Sequence, residues 1–333
     1  MPSTRVLSTS PLVGPSLKAL GEKFPALSIL PYRSEAWGRE LQSAEALIVL
    51  LSEPLCEEDV MRCLNLKAIG TYSVGTNHLP VDLCEARGIS IINTPDVLTD
   101  ATADLALALL LAVTRRISEG EAMVRSGEWE GWQPSQLLGI GLSGKTCGIL
   151  GSGPIGRAFA RRVWSLGMTP IFWDRDGLGR PVDFLSDGEN AITGPPAMRL
   201  PLEELLRRSD VLSLHCPLTN QTKGLLGKRE LALLPKGAVV INAARGGILD
   251  EIEMMAMLDS SHLGGVGLDV YEGEPKLHLG WLDAPRTVLA PHLGSATVEA
   301  RSAMAELLCS GIEKALGGCA DRLSRQGSLS LKN

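Results

Sequence analysis

Apolar positions fall in short uninterrupted runs separated by stretches with helical spacing. From Val6 to Asn93 the runs at 27–30, 46–51, 66–69 and 89–92 have the length of strands, and the segments between them read as helices. Runs without polar alternation suit strands buried on both faces, and strands alternating with helices predict a parallel sheet covered on both sides. The rhythm resumes at 146–150, 169–173, 211–215, 238–242, 265–269 and 288–290, with helices predicted up to 166 and over 202–208 and 225–234. Between the two series lies 101–116, apolar nearly all round and preceded by Thr99 and Asp100, either of which can cap it. That pattern predicts a helix buried between layers and marks the crossover between two domains. Thr102 and Asp104, near its start, could face a cleft. The fold class is α/β, with two Rossmann-like or flavodoxin-like domains built on parallel sheets.

Residues 145–175 carry the most informative pattern. The strand 146–150 runs into Gly151-Ser-Gly153-Pro154-Ile155-Gly156, then a helix, then the strand 169–173 closed by Asp174. Gly151 permits the tight turn, Gly153 lets backbone approach a pyrophosphate, and Gly156 lets the helix pack against the sheet. The free N–H groups of the helix start then face phosphate. Asp174, eighteen positions past Gly156, is placed to accept both ribose hydroxyls and would repel a 2′-phosphate. NAD is therefore the expected cofactor. NADP stays open because the Arg175 guanidinium could pair with that phosphate. The first domain carries no such glycine pattern.

Other loops leave two readings each. Gly70-Thr-Tyr-Ser-Val74-Gly75-Thr-Asn-His78 can offer backbone N–H groups to an anion or be an ordinary strand-to-helix turn. It holds no Lys or Arg, which favours one small carboxylate over a phosphate ester. The stretch 126–143, with Trp129 and Trp132 among glycines and a proline, suits packing on another subunit or on its own domain. The Gly-, Pro- and Asp-rich stretch 177–196 is expected to be mobile. His215 closes a strand beside the nucleotide turn and is either a packing residue or catalytic. Met254, Met255 and Met257 read as core filler.

Composition narrows the function. The chain has 333 residues, enough for two domains, with 44% hydrophobic but only 4% aromatic positions, so its cores are aliphatic. A net charge of −6 leaves no basic field for nucleic acid. The longest apolar run, 105–113, is nine residues and too short to span a membrane, and the N-terminal stretch lacks the apolar region of a secretory signal. Seven cysteines without a CxxC pair predict reduced thiols in a cytoplasmic protein, and five histidines without ligand spacing predict no metal site.

Three charged residues follow predicted strands in the second half, where open parallel sheets bind their ligands: Arg245 in Ala-Ala-Arg-Gly-Gly, Glu274 in Tyr-Glu-Gly-Glu-Pro, and His292 in Ala-Pro-His-Leu-Gly. Reduction of a 2-oxo acid needs a cation for carboxylate and carbonyl and a proton donor for the nascent alkoxide. Arg245 suits the first role and His292 the second, with Glu274 stabilising the imidazolium. Asp269 could accept from a nicotinamide carboxamide. Taken singly, each could equally be a structural ion pair.

Nearly the whole chain resembles the D-isomer-specific 2-hydroxyacid dehydrogenases, through VGTNHLPVD, NTPDVLTDATADLALALLLA, GKTCGILGSGPIG, SDVLSLHCPLT, GAVVINAARGGILDE, GLDVYEGEP and APHLGSAT. The NTPDVLTDATAD passage is most similar to glyoxylate and hydroxypyruvate reductases. The resemblance implies catalysis by Arg245, Glu274 and His292, a substrate-carboxylate loop at Val74 and Gly75, and a nicotinamide-facing Asp269. Thr102, Pro154, Ile155, His215, Pro217 and Ala243 complete the expected cofactor contacts. It also implies a discontinuous substrate domain, 1–99 with 290–333, a cofactor domain, 100–289, a cleft between them for the reaction, and a homodimer built through the cofactor domains. Gly273 departs from the bulkier residue many relatives carry. The rival expectations are a nucleotide-sensing corepressor and a phosphite, formate or 3-phosphoglycerate dehydrogenase; the uncharged loop at Val74 and the lack of a C-terminal extension weigh against the last.

Overall fold

The computed structural model describes residues 4–175, 179–186 and 194–327. The chain divides into two compact units, Met1–Leu98 with Ala296–Asn333, and Thr99–Ser295.

In the first unit, β1 (Val6–Ser8), β2 (Ser28–Ile29), β3 (Ala46–Val49), β4 (Ala68–Thr71) and β5 (Ser90–Ile92) form one parallel sheet in the order β2-β1-β3-β4-β5. Register explains why the runs are apolar throughout. Val6, Ala46 and Ala68 align in one row and pack on Leu17, Leu20, Leu308 and Ile312; Leu7, Leu47 and Ile69 align in the next and pack on Trp37, Leu41 and Val60. Successive residues point to opposite faces, so both faces are core. The returning helix Val298–Gly327 supplies Leu308 and Ile312. Strand β4 lies two residues later than the run 66–69 predicts. Its second half contains Gly70, a weak strand former that sits against Leu308 and Ile312, where a Cβ would come within 3.2 Å of the Leu308 side chain.

In the second unit, β6 (Thr146–Leu150), β7 (Thr169–Trp173), β8 (Val211–Leu214), β9 (Ala238–Asn242), β10 (Leu263–Leu268) and β11 (Thr287–Leu289) form a parallel sheet in the order β11-β10-β9-β8-β6-β7. Residues 198–200 extend it beyond β7: Phe172 N donates to Met198 O and Leu200 N to Phe172 O, each at 2.8–2.9 Å. With that segment counted, the order along the chain becomes the 3-2-1-4-5-6 of dinucleotide-binding folds, plus one further edge strand. The order reverses between β6 and β8. The helix Pro154–Ser165 and the helix Thr99–Thr114 cover one face through Phe159, Val163, Ala106 and Leu110; Leu205, Leu231, Met254 and Trp281 cover the other.

Four expectations change. The helix Thr99–Thr114 buries Ala103, Ala106, Leu110 and Val113, while Asp100, Asp104, Ala108 and Leu111 form an exposed stripe, so it is one-sided within its unit rather than enclosed. The helix predicted over 225–234 shrinks to Lys228–Leu231, because Leu226 is drawn into an extended bridge with Leu249. The boundary expected at 290 falls after Ser295; His292, Leu293 and Gly294 donate backbone N–H bonds to Asp269, which ties them to the second unit. Of the stretch 177–196 expected to be mobile, 177–178 and 187–193 lie outside the described residues. Of the rest, Val182, paired to Ala197, and Phe184 and Leu185 lie in the core, while 179–181, Asp183, Ser186 and 194–196 are exposed.

Candidate active site

The turn after β6 has the geometry its glycines predict. Gly151 has φ +104°, open to glycine at little cost, and a Cβ on it would lie 2.8 Å from the His215 backbone. A Cβ on Gly156 would lie 2.0 Å from Gly151 O, whereas one on Gly153 would meet no protein atom. The turn is closed on its protein side and open on the side where Pro154 starts a helix of 12 residues. A dinucleotide pyrophosphate fits such a cradle. A pocket of about 490 Å³ continues from it, lined by Ser152, Asp174, Arg175, Arg180, Arg199 and Pro217 among others.

Asp174 is firmly held there. Ser152 N donates to Oδ1 at 2.7 Å, and Arg199 Nε donates to Oδ2 at 2.6 Å. Arg175 Nη1 donates to Gln221 Oε1. His215 lines the same pocket, half-buried, with its ring 4.9 Å from that of Phe159 and Nε2 2.8 Å from Ser213 Oγ. Burial lowers its pKa to about 3, so the imidazole is neutral. The catalytic alternative for His215 does not fit that setting. Its Nδ1 is buried without a hydrogen-bond partner. Ala243 is buried in the core at the end of β9. Ile155 is half-buried on the glycine-turn helix.

Further along the same sheet the chain brings a second group together. His292 Nδ1 lies 2.7 Å from Glu274 Oε2, and the other oxygen, Oε1, accepts from Tyr271 N at 2.9 Å. Burial works to raise the Glu274 pKa, but the hydrogen bonds from His292 and Tyr271 and the charges of His292 and Arg245 outweigh it, leaving the carboxyl lowered. Arg245 closes the loop after β9; Asn242 Nδ2 donates to its carbonyl at 2.9 Å, and its own Nη1 donates to Ala244 O at 2.7 Å. Burial lowers the Arg245 pKa while the charge of Glu274 opposes the shift. The two loops are fitted face to face, since a Cβ on Gly246 would lie 2.0 Å from Tyr271 O. Glu251 fastens the second, accepting from Glu272 N at 2.6 Å and Trp281 Nε1 at 2.7 Å.

His292 has φ +56°, a left-handed backbone for a non-glycine residue. Asp269 holds it there: its carbonyl accepts from His292 N, and its two carboxylate oxygens accept from Leu293 N at 2.6 Å and Gly294 N at 2.8 Å. Burial raises the Asp269 pKa. A carboxylate already spanning the turn beneath His292 has a structural task that strand-end position alone did not reveal. Thr102 is buried beside it; a Cβ on Gly294 would lie 3.3 Å from both the Thr102 methyl group and Asp269 Oδ2. Asp104 turns instead to Arg162 Nε at 2.6 Å. Gly273 has φ +80°, which explains why this position lacks a side chain.

In the first unit, the loop after β4 is pinned through its carbonyl oxygens. Asn93 Nδ2 donates to Val74 O at 2.8 Å and Ser73 Oγ to Gly75 O at 2.7 Å. Thr71 Oγ1 lies 2.8 Å from both Ser73 Oγ and His78 Nε2.

Residues 107–294 match the model for the D-isomer specific 2-hydroxyacid dehydrogenase NAD binding domain. The chain belongs to this family. It is 42% identical over 277 residues to a glyoxylate reductase of Thermococcus litoralis, covering 82% of this chain and 81% of that one. It is 37% identical over 279 residues to a glycerate dehydrogenase of Hyphomicrobium methylovorum, covering 83% and 84%. The crystal structure of the TT0316 protein of Thermus thermophilus superposes with a TM-score of 0.84 at 37% identity, covering 95% of this chain and 97% of that one. The dehydrogenase is thus an oxidoreductase with a nicotinamide-dinucleotide domain, as its sequence motifs imply. Among the described residues, no group of three or more His, Cys, Asp or Glu could hold a metal, and no helix is long and apolar enough to cross a membrane. Arg180 and Arg199 line the pocket and were not marked by any motif, and Ser152 lies within the glycine motif without having been singled out. The signal for Arg199 was a lone charge between the apolar Met198 and Leu200.

Proposed function

We propose that the dehydrogenase reduces a small 2-oxo acid, of the glyoxylate or hydroxypyruvate type, to the D-2-hydroxy acid with NADH or NADPH. The observation that carries this reading is the His292–Glu274 pair at 2.7 Å, electrostatically coupled to a half-buried guanidinium, Arg245. With Nδ1–H given to Glu274, His292 Nε2 is the atom that carries the exchangeable proton. Nε2 donates it to the carbonyl oxygen as that oxygen gains charge, and Glu274 stabilises the imidazolium beforehand. Arg245 binds the carboxylate and polarises the carbonyl with two N–H groups, a task its planar fork suits. Asp269 keeps His292 in its strained backbone, so the imidazole is positioned before substrate arrives. A reduced nicotinamide dinucleotide, held by its pyrophosphate at the glycine turn, would supply the hydride.

The cofactor is held by Gly151, Gly153, Pro154, Ile155 and Gly156 at its pyrophosphate and by Asp174 and Arg175 at its adenosine ribose, with Thr102, His215, Pro217 and Ala243 as further contacts. Val74 and Gly75 offer backbone N–H groups to the substrate carboxylate. The side chains that pin this loop bind its carbonyls, and the absence of Lys and Arg over 68–77 suits a small monocarboxylate. The names of the relatives, glyoxylate reductase and glycerate dehydrogenase, point to two- and three-carbon acids. A second copy of the chain covers the exposed Ile117, Val124, Trp129, Trp132 and Leu138 of the second unit, and the cytoplasm keeps the cysteines reduced. Burial pushes Cys63 up to about 12 and Cys216 up to about 11, as expected of inert thiols. Steady-state oxidation of NADH and NADPH with glyoxylate, hydroxypyruvate, pyruvate and bulkier 2-oxo acids tests the reading. Highest kcat/KM is expected for the first two, and turnover of none of the acids would refute it.

A further inference from the structure

Glu251 is a buried acid held by neutral donors. It is 6% exposed and begins the helix Glu251–Asp259, and its oxygens accept one bond each, Oε1 from Glu272 N at 2.6 Å and Oε2 from Trp281 Nε1 at 2.7 Å. Burying a carboxyl is unfavourable unless its oxygens are bonded, and two N–H groups beside a helix start meet that need. What the first donor belongs to gives the residue its interest. Glu272 N is the peptide nitrogen next to Tyr271 N, which Glu274 Oε1 accepts at 2.9 Å, so consecutive N–H groups of one loop go to two different carboxyls. The loop of Arg245 rests on the same peptide: a Cβ on Gly246 would lie 2.0 Å from Tyr271 O and 2.5 Å from Glu272 N. The Tyr271 hydroxyl adds a tie to Ala290 O at 3.0 Å, two residues before His292.

We infer that Glu251 is a positioning residue for the reaction: by gripping the peptide between Tyr271 and Glu272 it fixes Glu274 against His292. The inference rests on the roles proposed above for His292 and Glu274 and adds the group that holds them in place. Without Glu251 the peptide is free to turn, Tyr271 N leaves Glu274 Oε1, and the carboxylate loses the bond that aims its other oxygen at His292 Nδ1. The other charges that reach this pair belong to Asp269, at the end of β10, and Arg245, after β9. Tyr271, pushed up to about 12 by burial, stays neutral.

The pH profile of kcat for 2-oxo acid reduction tests it, measured on the full chain with Glu251→Gln alone and together with Glu274→Gln. Glutamine keeps the shape of Glu251 but leaves one acceptor oxygen for two donors. In the single variant kcat is expected to fall about three- to tenfold, with the basic limb displaced to lower pH as the ring loses its firmly placed anionic partner. Where Glu274 is already replaced, no carboxylate remains to be aimed, and the same substitution is expected to add less than about twofold and no displacement. Equal effects in the two backgrounds overturn the inference. Glu251→Asp keeps the charge on a shorter arm and is expected to displace the limb as well; a limb at its wild-type position would make the effect one of charge through space and overturn positioning. Trp281→Phe removes the other donor and is expected to lower the melting temperature with the limb in place; a displacement matching that of Glu251→Gln overturns the role of the Glu272 bond. Should neither Glu251 variant fold, the residue serves folding and the inference falls. Absence of turnover in the unmodified chain would refute the reaction itself, a separate result from equal effects in the two backgrounds.

Discussion

Two carboxylates follow strands of the same sheet, each paired with a basic side chain at nearly the same distance: Asp174 with Arg199 at 2.6 Å and Glu274 with His292 at 2.7 Å. The chemistry differs because the cations differ. A guanidinium holds its charge at every pH the protein meets, so the first pair is a fixed feature of a binding surface. An imidazole exchanges its proton near neutral pH, so the second pair can take part in a reaction. Geometry alone would rank the two alike; the proposed reaction needs a side chain that can exchange a proton, and only the imidazole is of that kind.

The largest effects belong at the exchanging end. His292→Ala is expected to lower kcat for 2-oxo acid reduction about 10²- to 10⁴-fold while leaving binding of the adenosine half of the cofactor intact. Nucleotide titration beside steady-state kinetics checks this, and a kcat near wild type would remove His292 from the reaction. Arg245→Ala is next, costing roughly 3 kcal/mol of transition-state stabilisation in kcat/KM. A change confined to KM for NADH would place this guanidinium on the cofactor instead.

His215 sharpens the contrast, being a third strand-end residue with no carboxylate beside it. Its folded pKa of about 3 lies below the ordinary 6.5, so the unfolded chain binds the extra proton as pH falls from 6.5 towards 3. Stability from this residue is intact above pH 6.5 and is lost across that window. At ~1.36 kcal/mol per unit, about 2–3 kcal/mol should disappear by pH 4.5. Urea unfolding at pH 7 and pH 4.5 measures the loss, and His215→Gln should flatten it; equal acid sensitivity in the variant would assign the effect to other groups. The smallest change is Glu274→Gln. It should lower kcat about tenfold at neutral pH and move the basic limb of the reduction profile to lower pH, because the ring loses its anionic partner. A limb that stays in place would mean that Glu274 only orients the ring.

Local pattern was enough for the α/β class, the glycine turn and the three strand-end charges, because each depends on residues adjacent in sequence. Gly151, Gly153 and Gly156 have their effect within six positions of one another, and Arg245, Glu274 and His292 each follow a run whose apolar character already marks a strand. What stayed hidden depends on registry between distant segments. Strand β4 kept its length through Gly70 only because a helix more than two hundred residues later rests on it. That the turn at 292–294 hangs from the Asp269 carboxylate could not be read from its position at a strand end. Arg199 carried no motif, since its meaning arises when 198–200 is laid beside β7 and its side chain reaches Asp174.

The sequence by itself determined which segments become strands and where chemically capable side chains leave them, because periodicity and turn preference are local properties. Tertiary structure alone decided which charge each of those side chains meets, because Coulomb energy depends on separation in space and the chain that joins the partners leaves no trace of it.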